Sequence, residues 1–334
     1  MMIKEDTRPY EYYSTVMEKS VEWLWYPFIP YGKLTLLQGD PGEGKSTFIV
    51  HVAAALTTGG ILPNGVKVNE PVTVIYQCAE DSIEDTIKPR LIEAGADCGK
   101  VAFIVDGDQT LSVDDERIER SIQETGARLF VLDPLQAYIK QDGDLQSATR
   151  MRSLMRRLSS VAERNQCAIV LIGHLNKASG GKSLYRGLGS IDIAAIARSV
   201  LMITRDLEHS EIRYMYPIKS SLAPESYGIS FILDPDTGFH WIGKCLFRGE
   251  ENSTGITTNT SKKDRAKELL RLMLSAEDVK STDAYSRLVW LGISERTIRT
   301  AQKELGIEAY RKSNVWYLRL ASPLQPSSEE DDDG

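Results

Sequence analysis

The sequence predicts an α/β protein whose main domain is built on a mostly parallel sheet flanked by helices, and two observations lead to this prediction. Short β-branched runs alternate with helical stretches up to residue 205, and this order is typical of the strand–helix–strand units of parallel sheets. Several of these runs are apolar throughout, as expected where helices cover both faces of a sheet.

The elements of the main domain follow from the same pattern. We predict strands at 34–37, 72–77, 101–105, 129–133, 168–172 and 200–204. Helical stretches are predicted near 45–58, 82–95, 113–125 and 145–165. Ser112 followed by Asp115 has the spacing of a helix start. Beyond residue 205 the runs IRYMYPI, ISFILD and FHWIG follow one another, with the turn residues PDTG between the last two, which predicts an antiparallel extension at the sheet's edge.

A polar stretch separates this domain from a second, smaller one. Residues 246–263 are rich in Gly, Ser and Thr, which predicts a linker. Three helical stretches follow and then two strands around Ser313 and Asn314, which is the plan of a winged helix-turn-helix. The acidic tail is expected to be disordered. The predicted divisions are an N-terminal segment (1–25), the main domain (26–245), the linker (246–263), the winged helix (264–320) and the tail (321–334).

The charge of the chain is unevenly distributed. The net charge is −7, yet residues 262–320 hold thirteen Lys/Arg against eight Asp/Glu, and the tail adds five acidic residues. A basic C-terminal module on an acidic body is a pattern found in proteins that bind nucleic acid.

Other features of the sequence restrict the class of protein. We find no signal peptide and no apolar run long enough to span a membrane, so we expect a cytoplasmic protein. Cys78, Cys98, Cys167 and Cys245 are far apart and form no CxxC pair. Neither a disulfide framework nor a zinc site is suggested, and we expect four small buried side chains.

The clearest motif is the stretch GDPGEGKS, which follows the run LTLL and precedes the helical stretch STFIVHVAAALTTG. It matches GxxxxGK[ST], in which glycines let backbone N–H groups close around phosphate oxygens while the next helix directs its N-terminus at the anion. In this motif Lys45 would reach the β- and γ-phosphates, Ser46 would bind Mg²⁺ and Thr47 would support the α-phosphate. The predicted binding residues for ATP are Gly39, Asp40, Pro41, Gly42, Glu43, Gly44, Lys45, Ser46 and Thr47.

Two acidic positions fit hydrolysis of a bound nucleotide. Asp133 ends the apolar run RLFVLD, where an acid would hold the Mg²⁺ shell, and Pro134 stands where one large class of ATPases has a glutamate. The base that activates water must then come from elsewhere, and Glu80 lies just past the strand at 72–77. If that strand neighbours the strand of the phosphate loop, Glu80 faces the γ-phosphate, and Asp81 is the fallback. The alternative is that Glu80 serves as an acid at a helix N-terminus.

A histidine follows another predicted strand. His174 ends the run AIVLIGH at the carboxyl edge of the sheet, where open α/β sheets bind their ligands, and its side chain can hydrogen-bond a γ-phosphate there. The alternative is a structural histidine. The Gly-rich loop NKASGGKSLYRGLGS follows and carries Lys177, Lys182 and Arg186, which fit a nucleic-acid contact or switch loop as well as a flexible surface loop.

Together these motifs resemble the RecA-like core of hexameric replicative helicases, in particular the RepA-type helicases of plasmids and their phage and mobile-element relatives. The resemblance runs through WLWYPFIPYGKLTLLQGDPGEGKST, QCAED, LFVLDPLQAY, IGHLNK, YRGLGSIDIAAIARS and IKSSL, over roughly residues 20–243. It implies a RecA-like P-loop NTPase fold, hydrolysis of ATP with Mg²⁺ and assembly into a hexameric ring.

The same resemblance implies roles for individual residues. Glu80 is the carboxylate that activates water, and His174 is the γ-phosphate sensor. Arg198, in IAAIARSV, is the finger offered to the nucleotide of the neighbouring subunit, with a surface arginine at a helix end as the alternative. Lys219, in PIKSS, stands where related ring ATPases place a second trans cation, although SSL departs from the Asn-bearing segment of those proteins.

The C-terminal domain departs from the short RepA-type enzymes and resembles the winged-helix tail of phage- and element-encoded relatives. Cations on the exposed face of its third helix and on its wing suit the phosphates and base edges of a duplex. The candidate contacts are Arg296, Arg299, Gln302, Lys303, Arg311 and Lys312. The alternative is a winged helix that binds protein, since Glu295 and Glu304 lie on the same helix.

Three functions remain open at this point. The first is a DNA-stimulated ATPase that acts as a helicase in the replication of a plasmid, phage or mobile element. It would grip single-stranded DNA in a central channel through Lys177, Lys182 and Arg186, or through Lys140 and Arg150. The second is a recombination or repair ATPase of the RecA/RadA kind. The third is a DNA-binding regulatory switch, in which the bound nucleotide controls the winged helix and no duplex is unwound. The expected partners are single-stranded and duplex DNA, further copies of this chain and replication proteins, but no membrane.

Overall fold

The computed structural model describes residues 10–106, 110–139, 148–174, 190–206, 209–224, 227–245, 262–275, 277–290 and 293–320. Most of the predicted linker, the acidic tail and the candidate DNA contacts Lys140, Lys177, Lys182 and Arg186 lie outside these residues.

Strands and helices alternate along the first part of the chain. The strands of the described residues form three sheets. The strands are β1 (Trp23–Trp25), β2 (Ile29–Pro30), β3 (Leu34–Gly39), β4 (Val74–Cys78), β5 (Val101–Ala102), β6 (Leu129–Asp133), β7 (Ala168–His174), β8 (Ser199–Arg205), β9 (Ile212–Ser220), β10 (Gly228–Asp234), β11 (Gly238–Cys245), β12 (Val279–Lys280), β13 (Ile307–Lys312) and β14 (Val315–Leu320). The α-helices are α1 (Lys45–Thr58), α2 (Lys88–Glu93), α3 (Glu116–Thr125), α4 (Ala148–Asn165), α5 (Ser190–Ile196), α6 (Lys262–Leu274), α7 (Ser281–Trp290) and α8 (Glu295–Glu304).

The main sheet has nine strands in the order β11-β10-β9-β8-β3-β7-β6-β4-β5. The strands from β8 to β5 run parallel to one another, whereas β9, β10 and β11 continue the sheet antiparallel beyond β8. This is the predicted α/β fold with a large, mostly parallel sheet and an antiparallel extension. The strand of the phosphate loop, β3, lies in the interior of the sheet between β8 and β7.

Helices cover the parallel part of the sheet on both faces, which explains its uninterrupted apolar strands. Along β6 the side chains alternate between two cores: Leu129 and Val131 pack into one, and Phe130 and Leu132 into the other. The helix α1 contributes to the first core and α3 and α4 to the second. Residues on a strand point alternately to opposite faces, so a strand covered twice must be apolar at every position.

Two predicted elements are shorter than expected. The strand predicted at 101–105 is limited to Val101–Ala102, because it lies at the sheet's edge and the side chains of Phe103 and Val105 are exposed. The helix predicted over 82–95 divides into a π-helical turn, Ile83–Ile87, and α2. Pro89, in the first turn of α2, has no N–H to donate to the preceding turn, which accounts for the change of helical pitch there.

Two further details differ from the predictions. The N-cap of α3 is Asp115, whose side chain accepts a hydrogen bond from the Arg117 N–H, whereas Ser112 is buried in the preceding loop. Cys98 is exposed, because it begins a short surface 3-10 helix that is capped by Asp97.

The last part of the chain folds as three helices and a three-stranded antiparallel sheet. The sheet has the order β12-β14-β13, and α6 begins at Lys262, two residues before the predicted start of this unit. Ser313 and Asn314 have φ angles of 48° and 68°, which is the left-handed geometry of a tight two-residue hairpin turn.

This C-terminal unit shares a hydrophobic core with the antiparallel extension. Ile212, Tyr214 and Ile242 of the main sheet pack in one cluster with Leu269 and Leu270 of α6. Polar contacts join the same surfaces: Lys244 forms an ion pair of 2.8 Å with Glu277, and the Arg287 guanidinium donates to the Ile242 carbonyl. The two units are therefore joined by a packed interface. In the described part of the chain, no helix combines the length and the hydropathy that crossing a membrane requires.

A half-buried histidine on α1 makes the stability of this fold depend on pH. The His51 ring stacks on Phe239 of β11, with 3.8 Å between ring centroids. Burial, followed by the neighbouring His240, lowers the pKa of His51 to about 4. The unfolded chain, whose histidine has an ordinary pKa, binds more protons between pH 6.5 and 4, so stability is complete above this window and falls as the pH decreases through it.

We expect His51→Phe to remove this pH dependence while it preserves the stacked ring. Between pH 6.5 and 4 the unfolding free energy of the wild type should fall relative to that of the variant by about 1–2 kcal/mol, since partial exposure screens the charge. Denaturant unfolding at a series of pH values measures this difference. Parallel curves for the two proteins would contradict the prediction.

Candidate functional site

The loop between β3 and α1 is shaped by glycines at positions where a side chain would not fit. A Cβ atom on Gly39 would lie 2.4 Å from the Ile203 carbonyl oxygen, and one on Gly44 would lie 2.7 Å from a methyl group of Leu233. Gly42 and Gly44 also have φ angles of 79° and 84°, which L-residues with side chains rarely adopt. The loop therefore leaves β3 tightly packed against its neighbours, with glycine at the positions that lack room for a side chain.

Lys45, the first residue of α1, is held at the mouth of this loop. Its side chain is buried, and its Nζ donates to the carbonyl oxygens of Gly39 at 2.9 Å and Asp40 at 2.8 Å. Burial lowers the pKa of Lys45, while the charge of Asp133 acts in the opposite direction. The ammonium group of Lys45 and the positive end of the α1 dipole thus lie at the same point, which favours the binding of an anion there.

Asp133 ends β6 and forms a cluster of oxygen atoms with two hydroxyl groups. The Tyr76 hydroxyl donates to Asp133 Oδ2 at 2.6 Å, and the Ser46 side chain lies within hydrogen-bonding reach of the same hydroxyl. Burial and the charge of Asp133 raise the pKa of Tyr76 well above its usual value, so this phenol remains a neutral donor. Carboxylate and hydroxyl oxygens are the ligands that Mg²⁺ prefers, and these residues fit that ion.

The position of Glu80 in the sheet differs from the one expected from the sequence. The condition that its strand neighbours β3 is wrong, because β7 and β6 lie between β3 and β4. The chain beyond β4 is nevertheless tied to the end of β6, where the Ala79 N–H donates to the Asp133 carbonyl at 3.1 Å. The charge of Glu80 acts to raise the pKa of both Lys45 and His174, so its carboxylate lies within electrostatic range of both groups.

Asp81, the fallback base, has a different partner. Its Oδ2 accepts a hydrogen bond of 2.6 Å from Arg90 on α2. The two adjacent carboxylates therefore have different surroundings: Glu80 is exposed within electrostatic range of Lys45 and His174, and Asp81 is paired with a cation on a helix.

His174 is the last residue of β7, directly beside the start of the phosphate loop. The parallel register pairs it with Gly39. Burial, followed by the charge of Lys45, lowers the pKa of His174, which keeps the imidazole neutral at physiological pH. Its Nδ1 is buried and has no hydrogen-bond partner among the residues that the structure describes, so the ring can still bind a ligand at this point.

Two arginines that were not predicted from the sequence contact the phosphate loop at Gly42 and Glu43. Arg205 and Arg213 place their Nε atoms 3.4 Å and 3.6 Å from the Glu43 carboxylate, and Arg205 also donates to the Gly42 carbonyl at 3.4 Å. Both arginines line a cavity of about 450 Å³ beside the loop. The other residues that line it are Ser210, Glu211, Leu233, Asp234 and Pro235. Arg205 follows the apolar run VLMIT, and this position at a strand end was the one signal that could have identified it.

Arg198 and Lys219 lie at the opposite edge of the sheet from the phosphate loop of their own chain. The Arg198 N–H donates to the Leu34 carbonyl at 3.0 Å, at the amino end of β3, and the Arg198 side chain is exposed. Lys219 Nζ donates to the carbonyl groups of Ala194 at 2.6 Å and Ala197 at 2.8 Å. These are carbonyls at the C-terminal end of α5, so Lys219 acts as a cap of that helix within its own chain.

The candidate nucleic-acid contacts in the C-terminal unit are mostly on its surface. Arg296, Arg299 and Lys303 are exposed on α8, and Arg311 and Lys312 are exposed on β13. The prediction that Gln302 lies on this exposed face is wrong. Its side chain is half-buried and accepts a hydrogen bond of 2.9 Å from the Tyr285 hydroxyl. Of the alternative channel contacts, Arg150 lies in the first turn of α4.

Comparison with known proteins places this site in a family. Residues 14–180, half of the chain, match the family described as AAA domain. Among curated proteins, the DNA repair protein RadA of Mycobacterium tuberculosis is 26% identical over 149 residues, which cover 44% of this chain and 28% of that protein. RadA of Bacillus subtilis is 27% identical over 148 residues (44% and 28%), and RadA of Streptococcus pneumoniae is 28% identical over 149 residues (44% and 31%).

The matched part of the chain spans less than a third of the length of these relatives. The residues that match the family, 14–180, contain the phosphate loop, the Asp133 cluster and the strand that ends at His174. The matched family and the large, mostly parallel sheet agree with one another: this protein belongs to the AAA domain family, and its α/β domain is a RecA-like P-loop ATPase domain.

Proposed function

We propose that this protein is a DNA-stimulated ATPase of the RecA-like ring-helicase type, which acts in the replication of a plasmid, phage or mobile element. The observation that supports the proposal is that Lys45 is bonded to carbonyls of the phosphate loop and His174 is paired with Gly39 at its start, while Asp133 and Glu80 lie within electrostatic range of both. A nucleotide-binding site alone needs the loop and its lysine; a carboxylate and a neutral imidazole beside them fit hydrolysis.

In this proposal each residue acts on one part of the reaction. The loop from Gly39 to Thr47 and the Lys45 ammonium bind the phosphates. Ser46 and Asp133 would hold Mg²⁺, which would supply positive charge to the phosphate oxygens when bound. Glu80 accepts the proton of the attacking water, and His174 hydrogen-bonds the γ-phosphate and loses this bond when the phosphate leaves.

We further propose that the cavity beside the loop receives the base and ribose of the nucleotide. It is adjacent to the loop, because Leu233 at its wall contacts Gly44 and Arg205 contacts Glu43. A guanidinium plane and an apolar side chain in its lining offer stacking surfaces, and Ser210 adds a polar group.

Arg198 is proposed as a finger that completes the site of the neighbouring subunit. It lies at the amino end of β3, whereas the phosphate loop leaves the carboxyl end, so an exposed cation there suits a second subunit better than its own. The capping contacts of Lys219 hold the end of α5 that precedes Arg198. In this interpretation Lys219 positions the finger and does not itself contact nucleotide.

Mixing two inactive variants tests whether the site is shared. Lys45→Ala removes the binding lysine of a subunit, and Arg198→Ala removes the finger that it offers. Each variant alone should be inactive, but an equal mixture should recover up to about a quarter of wild-type turnover, because some sites then combine an intact lysine with an intact finger. Phosphate release measures the recovery, and Arg120→Ala, another exposed arginine, should be fully active alone. A mixture as inactive as its parts would contradict a shared site.

DNA as the partner is proposed from the cations of the C-terminal unit and from the relatives. The curated relatives are named DNA repair proteins, and this similarity keeps a recombination or repair ATPase as the second candidate function. The exposed cations of α8 and β13 support contacts with phosphates, and we propose residues 264–320 as a winged-helix DNA-binding domain.

The decisive experiment combines turnover, assembly and unwinding on the full chain. ATP turnover should rise on addition of single-stranded DNA, electron microscopy should show closed rings, and a forked duplex should be unwound with ATP. Filaments of variable length would favour the repair ATPase. Turnover at full rate by a monomer, unaffected by dilution or by DNA, would contradict both functions.

A further inference from the structure

The hairpin of β13 and β14 has two unlike faces. Residues directly opposite each other in an antiparallel pair share a face, and residues two positions apart along a strand share it too. Ala309 pairs with Leu318, which is fully buried in the core of the C-terminal unit. The next pair on that face, toward the turn, is Arg311 and Trp316.

Trp316 is therefore on the face of the hairpin that packs against the helices, but beyond the point where they cover it. Its side chain is 54% exposed, whereas Leu318, two residues further on, is 2% exposed. The opposite face is occupied differently: Tyr310 stacks on Tyr317 there, and the Tyr310 hydroxyl donates to Asp278. Trp316 contributes little to the core under the hairpin, because more than half of its side chain is exposed. Burial of so large an apolar surface against a partner would be favourable.

The surroundings of this tryptophan are cationic. Arg311 lies directly opposite it and donates to the Asn314 side chain in the turn, which fixes the direction of the guanidinium. The helix α8, which is followed directly by β13 along the chain, carries the further exposed cations Arg296 and Lys303. An aromatic surface beside a fixed guanidinium fits a ligand that has both a flat apolar face and an anionic group, as a nucleotide does.

A base can stack on Trp316 only where its face is free. Inside a duplex both faces of each base are covered by neighbouring bases, whereas single strands and duplex ends expose them. We propose that Trp316 and Arg311 form a stacking site for one exposed base and its phosphate, so that the C-terminal unit binds DNA where a duplex meets a single strand. This inference rests on the proposed function, because it takes DNA as the partner.

Binding of three DNA probes to the full chain tests this site. The probes are a forked duplex, a closed duplex made as a relaxed, covalently closed circle with neither ends nor loops, and the single strand alone. Fluorescence anisotropy should show that Trp316→Ala binds the forked duplex about tenfold more weakly than the wild type, which corresponds to the loss of one stacked base. Its affinity for the closed duplex should change by less than about twofold, since no base face is exposed there.

Two variants control for other effects. Trp316→Phe keeps an aromatic face and should restore most of the affinity for the forked duplex. Val289→Ala removes another exposed apolar side chain of the same unit, 47% exposed on α7, and should behave as the wild type. Thermal unfolding of each variant shows whether the hairpin remains folded.

The outcomes separate this inference from the proposed function. If Trp316→Ala binds all probes as the wild type does, or loses affinity for the closed duplex equally, the stacking site is wrong while DNA-stimulated turnover can stand. An equal loss in Trp316→Phe and Trp316→Ala would also overturn it, because stacking tolerates a smaller ring. If the wild type binds none of the probes and its turnover ignores DNA, the proposed function itself fails.

Discussion

Replacement of Lys45 by alanine is expected to reduce ATP turnover by about a hundredfold to a thousandfold, the usual cost of removing a group that stabilises charge in the transition state. The ammonium group of Lys45 is buried and makes hydrogen bonds to two carbonyls of the loop. Its loss removes the positive charge that the phosphates meet, and it also leaves those carbonyls without their donor. Binding of a fluorescent nucleotide and release of phosphate measure the two consequences separately.

Lys33→Ala is the matched control for this variant. Lys33 lies just before β3, at the opposite end from the loop, and forms an ion pair of 3.0 Å with the exposed Glu163. A surface pair of this kind contributes little to stability, so the control should bind and hydrolyse nucleotide normally. If Lys45→Ala remains folded and hydrolyses ATP at the rate of this control, the phosphate site has been placed wrongly.

Glu80→Gln is expected to preserve nucleotide binding and to reduce turnover by about a hundredfold to ten-thousandfold, because an amide cannot accept the proton of the attacking water. The substitution keeps the size of the side chain and removes its charge, which acts on Lys45 and His174. Equilibrium binding of ATP should therefore change little, whereas phosphate release in a single turnover should almost stop.

Asp81→Asn separates the base from its neighbour. Asp81 is paired with Arg90, so its amide variant should keep nearly normal turnover and lose at most a little stability. The opposite result, an active Glu80→Gln and an inactive Asp81→Asn, would show that the fallback residue is the base and that the pairing with Arg90 breaks when nucleotide binds.

The phosphate loop and α1 could be predicted from the sequence because their signals are local. The glycines, Lys45 and Ser46 are adjacent along the chain, and the helix that follows has the predicted bounds, Lys45–Thr58. Asp133 could be predicted for the same reason, since an acid that ends an apolar strand needs no knowledge of the other strands.

The order of the strands could not be predicted, and with it the route by which Glu80 reaches the site. That order depends on contacts between segments far apart in sequence, and the simplest guess, that β4 neighbours β3, is wrong. Tyr76 was missed because a tyrosine within an apolar strand is an ordinary core residue until the pairing of β4 with β6 brings its hydroxyl within 2.6 Å of Asp133 Oδ2.

The C-terminal helices and hairpin were likewise predicted from local patterns, but their attachment was not. The residues of β9 and β11 that form the shared core are apolar at positions that any edge strand of a sheet would also favour. The periodicity of a strand shows which face is covered, and it contains no information about which distant helix covers it.

The position of β9 has a consequence for how the two ends of the molecule communicate. Within three residues this strand reaches Glu43 of the phosphate loop through Arg213 and the core of the C-terminal unit through Ile212 and Tyr214. Packed interiors yield little under strain, so we expect a shift of Glu43 to be transmitted through β9 to α6. A change at the phosphate loop would thus reach the C-terminal unit through the packed contacts of β9 as well as along the chain.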